Sequence, residues 1–181
     1  MNLSHDEFSS LALAELDAVD RVARSLTRNS AEADDLVQET FLRALRAREQ
    51  FQLKSWGIRP WLLRILHNTY VNRAKRERRG PMAMEAEVLE TAAITPPPAP
   101  PPAPPGTFDD EELKAAMDQL SPDLRTILIL WAVDELSYKE MADVLDVPIG
   151  TVMSRIHRAR QRLYELMPGH RAAAERHGPA A

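Results

Sequence analysis

The segment from Pro96 to Pro105, PPPAPPPAPP, carries eight prolines in ten positions. Proline lacks an amide hydrogen and fixes φ, so such a stretch enters the interior of neither a helix nor a sheet. It reads as an extended polyproline spacer of roughly 30 Å, at about 3.1 Å per residue. A PxxP ligand for an aromatic groove is the other reading of the same residues. The spacer cuts a chain of 181 residues into two parts. We divide it into a helical domain over 1–80, a Pro-rich linker over 81–107, a second helical domain over 108–167 and a flexible tail over 168–181. Stiffness of the linker limits packing of the two halves on each other without forbidding it.

The second half contains SYKEMADVLDVPIGTVMSRIHRARQRL, from Ser137 to Leu163. Ser137 followed by Glu140 is a capping box, which starts a helix near Tyr138. Pro148 disfavours helix in the residue before it and suits the first turn of a new one, so the first helix stops by Asp146 and Val147. Gly150 leaves room there for another backbone or a phosphate. At 100° per residue Val152, Ile156, Ala159, Leu163 and Leu166 form one apolar stripe, expected to pack on Met141, Ala142 and Leu145. Opposite it lie Ser154, His157, Arg158 and Gln161, flanked by Arg155 and Arg162. This is a helix-turn-helix with a cationic face on its second helix. In a major groove Arg158, Ser154, His157 or Gln161 would meet base edges, and Arg155 and Arg162 phosphates. A merely solvated amphipathic helix is the plainer reading.

The formal net charge is -4, yet its distribution is uneven. RAKRERR from Arg73 to Arg79 and the four arginines from Arg155 to Arg162 stand on an otherwise acidic chain. Isolated basic patches place positive potential only at chosen surfaces, so two patches suggest two nucleic-acid contacts. There is no cysteine, which removes disulfides and thiolate zinc. The five histidines show no metal-ligand spacing. No cofactor motif, phosphate-cradling glycine loop or nucleophile and base pair is present, so the expectation is a non-enzyme without metal or cofactor. No apolar run approaches the roughly 20 residues that span a bilayer, and a cytoplasmic protein without membrane insertion is expected.

In the first half, Asn29 and Ser30 offer caps to AEADDLVQETFLRALR, a helix with an apolar face of Ala33, Leu36, Val37, Thr40, Phe41 and Ala44. Away from that face Leu42 is surrounded by Asp35, Gln38 and Glu39, with Arg43 at the margin. An apolar centre with a polar rim resembles a small protein interface, unless Leu42 touches a third helix of its own domain. The next helix begins at Pro60 and should bury Trp61, Leu62, Ile65, Leu66 and Thr69. Arg64, Asn68, Asn72, Arg73 and Arg76 point outward beside a loop holding Lys54, Trp56 and Arg59. Aromatics mixed with cations and amides suit a single strand, whose bases stack while its backbone meets charge.

The order DDLVQETFLRAL, PWLLRILHNTYVNRAKR, linker, LSPDLRTILIL and LSYKEMADVLDVPIGTVMSRIHRARQRL resembles the extracytoplasmic-function (ECF) sigma factors of bacterial RNA polymerase, in the sigma-70 family, over about 10–80 and 109–167. The resemblance implies an all-α fold of two small domains, a region 2 helical bundle and a region 4 helix-turn-helix, joined by the Pro-rich linker. It implies that Asp35, Leu36, Gln38, Glu39, Leu42 and Arg43 grip the beta-prime coiled coil of core polymerase, and that the beta flap is a second contact. It implies that Lys54, Trp56, Arg59, Arg64, Asn68, Asn72, Arg73 and Arg76 capture and hold the melted minus-10 strand, an extrusion costing a few kcal/mol. Ser137, Tyr138, Thr151, Ser154, Arg155, His157, Arg158, Gln161 and Arg162 would meet the minus-35 duplex. Met153 and Asn72 depart from the usual Lys or Arg and Asp, so no promoter sequence transfers. Such factors are often held by an anti-sigma factor, which the residues do not identify. The alternative is a stand-alone helix-turn-helix transcriptional regulator.

Overall fold

The computed structural model describes residues 4–53, 57–78 and 110–167, and every regular element among them is helical. The expected spacer and tail, and the loop residues Lys54 and Trp56, lie outside the described residues. The order is α1 (His5–Leu13), α2 (Leu16–Leu26), α3 (Ser30–Arg46), a single 3-10 turn (Arg48–Gln50), α4 (Arg59–Arg78), α5 (Asp110–Asp118), α6 (Pro122–Ala132), α7 (Tyr138–Leu145) and α8 (Ile149–Leu166).

Local chemistry sets the helix starts. Ser4 and Glu7 form a capping box at α1, Asn29 Oδ1 accepts from the Glu32 amide at α3, and Ser137 with Glu140 forms the expected box at α7. Each cap satisfies amides that the first turn leaves without partners. α7 ends at Asp146, whose φ of 55° places it in the left-handed region that Asp tolerates better than most residues. Pro148 is the cap residue of α8 rather than part of its first turn, because the chain is still extended there.

α3 buries Ala33, Leu36, Thr40 and Ala44 against α2 and α4. Phe8, Phe51 and Trp61 meet edge to face or tilted, with ring centroids 5.8, 5.8 and 5.2 Å apart. Trp61 is therefore core, and each such pair contributes about 0.5–1.5 kcal/mol beyond its buried area. In the second half Val152, Ile156 and Ala159 of α8 are buried and close on Met141 and Leu145 of α7, as the stripe predicts.

The two halves pack on each other. α4 lies against α7 and α6, and α2 against α6. One apolar core runs from Phe8, Val22 and Leu62 through to Ile127, Leu130, Met141 and Val152. This explains why α4 buries Leu63 and His67 in addition to its expected face: it is covered from both sides. Among the described residues no helix is long and apolar enough to cross a membrane, and no cluster of His, Asp and Glu fits a metal ion.

Candidate polymerase and nucleic-acid interface

On α3, Leu42 is 54% exposed with Asp35 and Gln38 beside it at the surface. Among the described residues no third helix covers it, and its surroundings are polar. Leu36 does not share that surface. It is 1% exposed and belongs to the core, because it sits on the arc that faces α2 and α4. Its place in the gripping set is corrected accordingly. Glu39 is half-buried and accepts from Arg43 Nε at 2.9 Å and from Arg73 Nε at 2.9 Å. The Arg73 and Arg43 hydrogen bonds outweigh burial and hold the Glu39 carboxyl below its ordinary range, Arg73 contributing most.

On α4, Asn68, Asn72 and Arg76 are exposed as expected. Arg73 is turned sideways onto Glu39 and the Asp35 carbonyl, 3.2 Å away. Arg59 is bound to Glu15, Nε to Oε2 at 2.6 Å, and that hydrogen bond raises its pKa. Arg64 donates through Nε to the Asp143 carbonyl at 2.7 Å and lies 3.3 Å from the Asp146 carboxylate. Three cations expected to be free are therefore occupied by the protein. The reason is that α4 is covered by α7 on one side and leans on α1, α2 and α3 elsewhere, so its long side chains find intramolecular acceptors. Gly57, at φ 77°, holds the loop end in a conformation that suits glycine.

On α8, Arg158, Gln161 and Arg162 are exposed, while Thr151, Ser154, Arg155 and His157 are half-buried. The Ser154 hydroxyl donates to the Thr151 carbonyl at 3.0 Å. Gln161 and Arg162 both turn to Glu165, at 3.4 and 2.9 Å, so an acid one turn beyond the cationic stretch neutralises part of it. Ser137 is consumed by its cap, its hydroxyl donating to Glu140 at 2.6 Å, and Tyr138 beside it is exposed. Among the described residues, outside its own helix and chain neighbours, nothing lies within 4 Å of a side-chain carbon added at Gly150; no backbone of another element approaches there, which corrects half of the sequence reading. The fourth arginine of the run, Arg160, is not on this face. It is buried with its guanidinium 5.3 Å from the ring centre of Trp131, a cation–π contact.

Sequence reading missed the polar contacts between the halves. Arg125 sits within the otherwise apolar LRTILIL of α6; it is buried and donates to the Met117 carbonyl at 2.9 Å and to the Tyr70 hydroxyl at 3.1 Å. Arg21 reaches Asp134 at 2.8 Å, and the Asp134 side chain is completely buried. His67 Nε2 lies 3.6 Å from Asp123 of α6. Burial pushes His67 down to about 4, against the pull of Asp123 and with help from Arg155 and Lys75. An arginine placed inside an apolar helical run was the available signal for Arg125, since a buried cation must be paired.

Two family models match: Sigma-70 region 2 over residues 11–80 and Sigma-70, region 4 over residues 110–163. The chain is 35% identical to the ECF RNA polymerase sigma factor SigE of Mycolicibacterium smegmatis over 85% of its own length and 59% of that relative's. It thus spans less than two thirds of that protein. Against the ECF RNA polymerase sigma factor EcfG of Rhodopseudomonas palustris it is 34% identical, covering 86% of this chain and 82% of the relative. Its fold is similar to that of the sigma factor RpoE in complex with the anti-sigma factor NepR from Bartonella quintana, with a TM-score of 0.63 and 32% identity over 89% of this chain and 96% of that one. The family models and the relatives agree, and the chain belongs to the ECF sigma factors of RNA polymerase.

Proposed function

We propose that this protein binds core RNA polymerase through the exposed face of α3 and directs it to promoters, reading a minus-35 element as duplex with α8 and a melted minus-10 strand with α4. It is a specificity subunit without catalysis of its own, working in the cytoplasm. What carries the reading is the exposed Leu42 within its rim of Asp35, Gln38 and Arg43, in a chain that also presents a helix-turn-helix whose exposed row is Arg158, Gln161 and Arg162. Arginine bidentate to guanine is the commonest specific base contact, and Arg158 is the exposed arginine at the middle of that row. Thr151, Ser154, Arg155 and His157 complete the duplex contact, with Tyr138 at the start of α7 beside it.

On α4, Asn68, Asn72 and Arg76 track the melted strand, together with Lys54, Trp56 and Arg59. Arg64 and Arg73 join them once their present acceptors are exchanged for phosphates. An apolar groove on the second half, formed by Leu113, Met117, Trp131, Val133, Leu163 and Met167, suits a helical segment such as the beta flap. An anti-sigma factor is the further partner, as for the similar RpoE.

The test is transcription from a promoter library by core polymerase with the purified protein, followed by sequencing of transcript 5′ ends. Transcripts sharing two upstream motifs at fixed spacing are expected. An absence of transcripts together with failure to associate with core on a sizing column would overturn the reading and leave a stand-alone helix-turn-helix regulator.

A further inference from the structure

A hollow of about 380 Å³ opens where the end of α2 and the turn into α3 meet α5 and α6, a size within the roughly 300–1,000 Å³ of small-ligand sites. No residue of its wall belongs to the nucleic-acid or α3 faces assigned above. The wall carries four cations, Arg24, Arg28, Lys114 and Arg125, and one acid, Asp118. Residue order hides this grouping, because two of the cations come from each half of the chain.

The four cations are not equivalent. Arg125 is buried, and its guanidinium is fixed by the Met117 carbonyl at 2.9 Å, the Tyr70 hydroxyl at 3.1 Å and the Asp118 carboxylate at 3.2 Å. Arg24 is fixed by Asp20 and Asp34, at 2.7 and 3.0 Å. Arg28 and Lys114 are exposed, and among the described residues neither side chain has an acid or carbonyl partner. The neighbouring Glu32 turns instead to the Asn29 side-chain amide at 2.8 Å and to the Arg28 backbone amide at 3.4 Å. Of the hydroxyls in the wall, Ser25 and Thr27 donate to the Arg21 and Ala23 carbonyls, both at 2.9 Å, and Ser30 is exposed. Elsewhere the chain settles Arg21, Arg59 and Arg73 on its own carboxylates, yet two unclaimed cations line one space beside two that are held in place.

A carboxylate brings a single charge to such a set. Linked phosphates bring several, with oxygens that accept from ammonium and guanidinium together and bind a guanidinium bidentately. The backbone of a nucleic-acid strand needs a continuous cationic groove, whereas this space is walled on separate sides by the end of α2 and by α5 with α6.

We propose that the hollow binds a free oligophosphate anion, inorganic or carried on a nucleotide, with Arg28 and Lys114 as its free cations and Arg24 and Arg125 as its fixed ones. The anion is then a ligand of both halves at once. This reading stands independently of the polymerase function.

Isothermal titration of the full-length protein with sodium tripolyphosphate and with ATP, at about 150 mM salt so that loose attraction is screened, tests it. One saturable site per chain is expected. Arg28→Ala with Lys114→Ala should weaken it about tenfold or more. Arg46→Ala with Arg48→Ala removes the same charge from exposed positions at the other end of α3, and should change it by less than about twofold. Ser30→Glu sets a carboxylate in the wall at a helix start that tolerates acid, and should abolish binding with helicity unchanged. No saturable binding of either anion overturns the proposal, as does equal weakening by the two double variants. Tripolyphosphate that binds as tightly as ATP identifies an inorganic ligand, and ATP that binds more tightly but yields to tripolyphosphate identifies a nucleotide; either result supports the site. A mixed-sequence DNA duplex that binds more tightly than both at equal phosphate concentration, and loses as much in the Arg28 and Lys114 variant, would give the hollow to a nucleic-acid backbone and overturn the proposal.

Discussion

Arg73 and Glu39 are bound to each other, with Arg73 Nε donating to Glu39 Oε2 at 2.9 Å across α3 and α4. The two residues belong to different assigned surfaces, one for nucleic acid and one for polymerase, and the ion pair makes them one structural unit. Arg43 completes it from one helical turn away on α3.

That unit should show coupling. In a double-mutant cycle of Arg73→Ala and Glu39→Ala, measured by urea unfolding, the interaction is expected to be about 1 kcal/mol, as for a partly exposed charge-assisted pair. Additive losses would mean the pair contributes nothing to stability. Because the Glu39 pKa is depressed, its contribution is present above the ordinary range near 4.5 and is lost as pH falls.

Leu42 and Leu36 separate binding from folding. Leu42→Asp should leave the thermal midpoint within a few degrees and abolish association with core polymerase, because an exposed side chain carries little of the core. Leu36→Ala should cost about 2–5 kcal/mol of stability through lost burial and a residual cavity. Calorimetry on both variants checks the contrast, and a Leu42 variant that unfolds would return that residue to the core.

In the proposed duplex contact Arg158 meets a base edge and Arg155 a phosphate. Arg158→Ala is expected to lose about 1–3 kcal/mol and relax selectivity at one minus-35 base, whereas Arg155→Ala should weaken all sequences alike. Competition binding of holoenzyme across single-base promoter variants distinguishes them. Identical profiles would undo the assignment.

His67 makes the packing of the two halves sensitive to acid. Its folded pKa of about 4 is below the ordinary 6.5, so the unfolded chain binds the extra proton between those values. Stability is full above about pH 6.5 and declines as pH falls toward 4, by up to about 3 kcal/mol over that window. The groups facing His67 are Asp123 of α6, Arg155 of α8 and Lys75 of α4. The urea midpoint followed from pH 7 to 4.5 should fall, and should fall less in His67→Met; parallel slopes in the two proteins would remove His67 as the cause.

Much of this molecule was written locally. The box of Ser137 and Glu140, the Asn29 cap, the apolar stripe of Val152, Ile156 and Ala159, and the break at Pro148 all act over one or two helical turns. Their hydrogen bonds and periodicity can be read directly from residue order, and so could the exposed Leu42. The loop residues Lys54 and Trp56 lie outside what the structure describes.

What the sequence by itself determined was helix placement and the identity of each apolar stripe, because short-range sterics and hydrogen bonding depend on neighbours within about four positions, and from these came the residues proposed to meet nucleic acid. Only the tertiary structure decided which of those residues were free. Arg64 took the end of α7, Arg73 took Glu39, Arg160 took Trp131 and Leu36 turned inward. A long cationic side chain binds whichever acceptor folding brings within reach, and for Arg64 that acceptor comes from a helix some 80 residues away in the chain, a distance over which residue order alone carries no geometric information.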